Sequence, residues 1–167
     1  MKAPPLLPEL VLARVMRVGR LHGNCVLYVA GFFALVSAAA GDYLGTITGL
    51  LVAAAGAIEH HGSALLGDGN PRGISWLVSS QPVLFVAITG YCVIRLRNVE
   101  LPPVPGEVRS MLELSAQQMG MTLTNYLQFI YRLTFRLIIG LSILYQGGLG
   151  YYYFSKRHQI LRALAEE

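Results

Sequence analysis

Apolar residues dominate four long stretches of this chain, Cys25–Ala40, Tyr43–Ile58, Trp76–Ile94 and Leu137–Phe154. The hydrocarbon core of a bilayer is about 30 Å thick, so a helix that crosses it needs roughly 17–25 largely apolar residues. Each stretch reaches that length once its weakly polar flanks are included. The pattern predicts an all-α, polytopic membrane protein of one domain. Four transmembrane helices are expected in an up-down bundle at residues 24–41, 43–61, 74–96 and 127–154, joined by amphipathic interfacial helices.

The segments between the spans have their own pattern. The start, Met1–Leu7, is Pro-rich and expected to be loose, and Pro8 suits a first helical turn. Over residues 8–23, Leu12, Val15, Met16 and Gly19 share one face while Arg14, Arg17 and Arg20 occupy another arc. That is a basic amphipathic helix suited to a membrane surface and leading into the first span. Gly41-Asp42-Tyr43 is the only polar interruption before the second span, which forces an antiparallel hairpin. The second span ends near Glu59-His60-His61-Gly62, and Gly67–Gly73 reads as a turn. Trp76 opens the third span at headgroup level, and Arg95-Leu96-Arg97 closes it.

Pro102-Pro103-Val104-Pro105-Gly106 is a rigid linker that no helix crosses. Residues 107–119 follow as an interfacial helix, with Val108, Met111, Leu112 and Ser115 opposite Arg109, Glu113 and Gln117. The fourth span has an ambiguous start, because Gln128, Arg132 and Arg136 interrupt its first half. Tyr151-Tyr152-Tyr153 forms an aromatic belt at its far end, and residues 155–167 continue as a helical tail. Val36-Ser37-Ala38-Ala39-Ala40 resembles a signal-peptide cleavage site. The long charged region before it and the new apolar run from Gly41 favour a retained helix.

Composition sharpens this reading. Hydrophobic residues make up 54% and charged residues 13%, against about 25% charged in soluble domains. The excess of 13 Lys and Arg over 9 Asp and Glu lies just outside the apolar runs, which fits anionic lipid headgroups and not nucleic acid. Basic residues also orient the chain. Lys2, Arg14, Arg17, Arg20, Arg72, Lys156, Arg157 and Arg162 fall on one side. Arg95, Arg97 and Arg109 fall on the other, with Arg132 and Arg136 if they flank a span. Both termini are therefore expected in the cytoplasm of a multi-pass cell-membrane protein, with an inverted or dual topology as the alternative. Cys25 and Cys92 are too few for a disulfide framework. They fall in opposite leaflets of such a bundle and are expected to be buried, inert thiols.

Five features carry candidate chemistry or packing. Gly41, Gly45, Gly49, Ala53 and Ala57 recur every four residues, a small-residue stripe that lets another helix approach closely, from the same chain, a second copy or a partner protein. Gly140, Gly147, Gly148 and Gly150 suggest a second close contact. Arg132 and Arg136 share a helix face. They either snorkel to the headgroups or form an anion or lipid-headgroup site, with Asp42 or Glu113 as possible counter-charges. Gln81-Pro82 is a polar kink, Pro82 removing a backbone hydrogen bond and Gln81 reaching a neighbouring helix. His22, His60, His61 and His158 fall near one leaflet and are weak metal or haem candidates, because adjacent His60 and His61 diverge by about 100° and no ligand-like spacing occurs.

Phosphate loops, nucleophile elbows and zinc-protease helices are missing from the sequence. No cofactor is expected. The reading that follows is a non-catalytic accessory or assembly module in the lipid bilayer, packed through small-residue faces, as a homo-oligomer or with a partner membrane protein. An oligomeric channel or transporter, using Gln81, Gln128 and Gln146 around a common axis, is one alternative. A haem- or metal-binding membrane protein is another.

Overall fold

A computed structural model describes residues 7–99, 101 and 104–165. The chain up to residue 6, and Pro102 and Pro103 of the expected linker, lie outside the described residues. The described chain is all-α, with five helices: α1 (Pro8–Ala39), α2 (Tyr43–Gly67), α3 (Gly73–Arg97), α4 (Gly106–Gln118) and α5 (Leu123–Ala163).

Local chemistry sets the helix ends. Pro8 occupies the first turn of α1, where its missing N–H costs nothing, and Glu9 beside it suits the positive end of the helix dipole. Gly41 turns the chain with a φ of +73°, a conformation a Cβ would strain. Asp42 then caps α2, its carboxylate accepting from the Gly45 N–H at 3.0 Å. Thr122 caps α5 in the same manner, accepting from the Asn125 N–H at 3.4 Å.

The helices α1, α2, α3 and α5 close a ring of contacts, each touching the next and α5 returning to α1, while α4 touches α5 at the margin. Two storeys differ in character. At one end, Val11, Leu12 and Val15 of α1 pack with Leu66, Ile74, Leu77, Tyr153, Ile160 and Ala163 into a dry core. The outer face of this storey carries the exposed Arg14, Arg17 and Arg20. In the other storey the apolar side chains point outwards. Tyr28, Val29, Phe32 and Leu35 of α1, Ile47, Leu50 and Leu51 of α2, Val86 of α3, and Leu141 and Leu144 of α5 are all exposed, forming an apolar belt round the ring.

Three helices, α1, α3 and α5, are long and apolar enough to cross a membrane. The 25-residue α2 has the length but carries Glu59, His60 and His61 in its second half. The expected interfacial segment 8–23 joins the expected span 24–41 in one unbroken helix of 32 residues that ends at Ala39, with Ala40 and Gly41 in the turn. The fourth apolar stretch belongs to a 41-residue helix, about 61 Å long at 1.5 Å per residue, which starts four residues before the expected span and absorbs most of the tail.

The small-residue stripe is displaced from its expected register. Gly45, Gly49 and Ala53 are buried, but Gly41 lies in the turn and Ala57 is exposed. A strict four-residue repeat drifts by about 40° per step on a helix of 3.6 residues per turn, so the stripe leaves the contact face after three steps. Gly56 takes the place expected of Ala57. A Cβ there would lie 2.7 Å from the Leu27 nitrogen and 2.8 Å from the Gly23 oxygen. Along the shared seam, Ser37 lies against Gly45, Ala34 against Gly49, and Gly23 against Gly56 and His60. The second expected contact is absent at three of its four glycines. Gly140, Gly147 and Gly148 face open space, and only Gly150 touches Gln81. The inward face of α5 is instead Ser142, Gln146, Tyr153, Ile160 and Ala163.

Candidate functional site

Glu59 is an acid on an otherwise apolar and small-residue helix face. Counting along α2, it follows Gly56 by three residues and precedes Ser63 by four, so it points into the ring with the small-residue seam. Its side chain is 1% exposed. Three other helices each send it a donor. His22 of α1 donates from Nδ1 to Oε2 at 2.6 Å. Gln81 of α3 donates from Nε2 to the same oxygen at 3.2 Å. The Tyr153 hydroxyl of α5 donates to Oε1 at 2.6 Å. One carboxylate therefore ties α2 to every other helix of the ring.

Small residues make this tie possible. A Cβ on Gly23 would lie 2.9 Å from both the Gly56 oxygen and the His60 nitrogen, so only glycine lets α1 bring His22 alongside Glu59. A Cβ on Gly19 would collide with the Ser63 hydroxyl and press on Leu77 at 3.0 Å. Ser63 turns its hydroxyl back to the Glu59 carbonyl at 3.0 Å and so presents no free polar group to the seam. On α3, Ser79 and Ser80 hydroxyls bond the carbonyls of Trp76 and Leu77, just before Pro82 interrupts the ladder. The helix runs through Pro82, which is itself exposed, while Gln81 is buried.

A second polar tie stands at the other end of the apolar belt. The Asp42 carboxylate that caps α2 also pairs with Arg95 of α3. The Arg95 guanidinium lies over the Tyr91 ring, 5.3 Å from its centroid. Tyr131 of α5 donates its hydroxyl to the Arg95 carbonyl at 3.3 Å. From Asp42 to Glu59 is seventeen residues, about 25 Å of helix, and from Gln81 to Arg95 is fourteen, about 21 Å.

Between the two ties lies a cavity of about 520 Å³, bordered by α1, α2, α3 and α5 and apolar over most of its wall. His22 and Gln146 line it, as do Tyr91, Tyr145, Cys25 and Cys92. The His22 and Tyr145 rings stand 5.4 Å apart, tilted by 43°. Both cysteines are free, and the expectation that both are buried fails for Cys25, which is exposed. A second cavity of about 430 Å³ lies between α3 and α5, lined by Gln81, Pro82, Gln146 and Gly150 among others.

The other expected residues fall elsewhere. Arg132 and Arg136 line an outer groove of α5 with Asn125, Gln128 and Phe129. The counter-charges suggested for them are engaged by other arginines, Asp42 by Arg95 and Glu113 by Arg109 at 2.9 Å. The four histidines do not converge. His22 is held by Glu59, His60 and His158 are exposed, and His61 meets the Trp76 ring edge-on at 5.4 Å. Among the described residues no three His, Cys, Asp or Glu side chains stand close enough to share a metal ion. The sequence matches no family model, and comparison with curated proteins and with solved structures gave no match.

Proposed function

We propose that this chain is a multi-pass membrane protein with four spans, α1, α2, α3 and α5, arranged up and down with both termini in the cytoplasm, and that it serves as a non-catalytic accessory or assembly module. The observation that carries this reading is the Glu59 tie. Placing a charge inside a membrane helix costs about 2.5–3.5 kcal/mol on insertion scales. Hydrogen bonds to a charged group return about 1.5–3 kcal/mol each, and Glu59 receives three. A carboxylate satisfied from three directions favours a scaffold fixed in one register over a group exposed to chemistry.

The exposed apolar belt between the two ties supports the four-span reading, since it includes outward side chains of α2 as well as of the other three helices. It also gives α2 a lipid-facing surface while its acid faces inwards. The exposed Arg14, Arg17 and Arg20 lie on the α1 side of the storey with the dry core, which suits the cytoplasmic side. The channel alternative is less well supported. Gln81 and Gln146 share one cavity, whereas Gln128 belongs to the outer groove with Arg132 and Arg136. The haem or metal alternative is less well supported, because the four histidines lie apart and no three His, Cys, Asp or Glu side chains among the described residues stand close enough to share a metal ion.

Two measurements test the proposal. An even number of spans puts the two termini on the same side, and reporter fusions at each are expected to find both in the cytoplasm. Termini on opposite sides overturn the four-span arrangement. Size analysis in nanodiscs, with identification of co-purifying proteins, is expected to give a stable assembly with itself or one partner. A lone monomer that conducts ions or turns over a substrate overturns the module reading.

A further inference from the structure

The larger cavity has one feature that helix packing leaves unexplained. Gln146 projects from α5 into the ring, is only 6% exposed, and its Oε1 has no hydrogen-bond partner among the described residues. An unpaired buried amide oxygen keeps its full desolvation penalty, which a pure scaffold would avoid with leucine. Gln146 lines the same cavity as His22. His22 spends Nδ1 on Glu59, so the opposite ring nitrogen, Nε2, is the one left to face a ligand. Gln146 and His22 therefore border an almost wholly apolar wall, with little of their polar surface open until the amide turns, and Tyr91 and Tyr145 flank them as aromatic surfaces. The cavity volume of about 520 Å³ lies within the roughly 300–1,000 Å³ of small-molecule sites, which share this make-up of apolar walls and a few polar groups.

The geometry points to a binding site for an apolar small molecule with a hydroxyl head, drawn from the bilayer, with the hydroxyl between Gln146 and His22 and the apolar body along the belt. A hydroxyl suits both partners. It donates to a glutamine oxygen or, with the amide turned over, accepts from the NH2, and the terminal torsion of glutamine is soft enough for either. It likewise donates to a neutral Nε2 or accepts from a charged one. A ketone or ether only accepts, and so cannot satisfy Oε1. The shared chemistry is met by an aromatic source, such as a prenylated hydroquinone, or by an aliphatic lipid alcohol. This inference rests on the membrane reading, because the ligand reaches the cavity from lipid.

The test uses the full chain in phosphatidylcholine nanodiscs, titrated calorimetrically against empty nanodiscs as background. Three probes are compared: decylhydroquinone, its dimethyl ether, and 1-dodecanol. The hydroquinone is expected to bind saturably, one per chain, and the ether about tenfold more weakly. In Gln146→Leu the hydroquinone should fall to the affinity of the ether. Cys25→Trp, at an exposed position on the cavity wall, should abolish binding of all probes without touching the tie. Dodecanol matching the hydroquinone assigns the aliphatic source, and dodecanol tenfold weaker assigns the aromatic one; both uphold hydroxyl recognition. Equal affinity for hydroquinone and ether in the native chain overturns it, as does saturable binding unchanged by Cys25→Trp, or no binding above empty nanodiscs. The comparison of probes on the native chain and the exposed Cys25 variant stand even if Gln146→Leu fails to fold. A chain that inserts and stays monodisperse yet binds none of the probes removes this site alone. A chain that stays dispersed in plain buffer removes the membrane reading beneath it.

Discussion

At the scale of single residues, the Glu59 tie has unequal spokes. Removing the carboxylate strands three donors at once, so Glu59→Ala is expected to destabilise by about 3–5 kcal/mol, the range found when one member of a buried charged pair is deleted. Tyr153→Phe removes one hydrogen bond and leaves the ring in the dry core, for a loss of about 1.5–3 kcal/mol. Reversible unfolding in mixed micelles, followed by circular dichroism, measures both. A Glu59→Ala loss smaller than that of Tyr153→Phe would show that the carboxylate is not the hub. Little of this tie was legible in the sequence. Glu59 bonds residues 37, 22 and 94 positions away, and no local pattern encodes such pairings. A signal did exist. Glu59 continues the inward face of Gly45, Gly49 and Gly56, which marks it as interior, whereas its neighbours His60 and His61 stand on the exposed side of α2.

At the scale of elements, helix existence was easy to read and helix register was not. Pro8, Gly41-Asp42 and the turn around Gly69 are local stop and start signals, and helix boundaries fall at or near them. The contact face of α2 needed the true helical period, because a four-residue repeat stays on one face for only a few turns. Seam and surface positions should respond oppositely to enlargement. Gly56→Ala pushes a methyl group to within 2.8 Å of backbone atoms of α1, and overpacking of this kind costs about 1–3 kcal/mol. Ala57→Leu, on the exposed face, is expected to change stability by less than about 0.5 kcal/mol. Paired melting curves of the two variants decide it, and equal losses would place the seam elsewhere. The glycines of α5 mislead for a related reason. Gly147 and Gly148 stand one and two residues beyond the inward Gln146, and each residue turns the helix by about 100°.

At the scale of the whole molecule, the storey beyond the Glu59 tie behaves as an ordinary bundle with a dry core, while the belt storey turns its apolar side chains outwards. The two ties differ in burial. Asp42 and Arg95 are 33% and 20% exposed, against 1% for Glu59, so screening reduces what their pairing contributes. Asp42→Asn keeps a capping oxygen for α2 and loses the charge, and is expected to cost about 1 kcal/mol, well under Glu59→Ala. The sequence pattern announced the belt and the helical extensions of α1 and α5 beyond it, but not that the two extensions would pack into a shared core. Nothing in a run of Leu and Val says where lipid ends and a protein interior begins.

In the proposed four-span arrangement, the exposed apolar surface and not the ties would set the depth of lipid. On α3, Trp76 and Arg95 bracket that surface nineteen residues apart, about 29 Å of helix, close to the roughly 30 Å of an average hydrocarbon layer. Mismatch between such a surface and the lipid tails costs energy in either direction. Across a series of phosphatidylcholines, the chain is therefore expected to be most heat-resistant with acyl tails of ordinary length and to lose that resistance as the tails are shortened or lengthened.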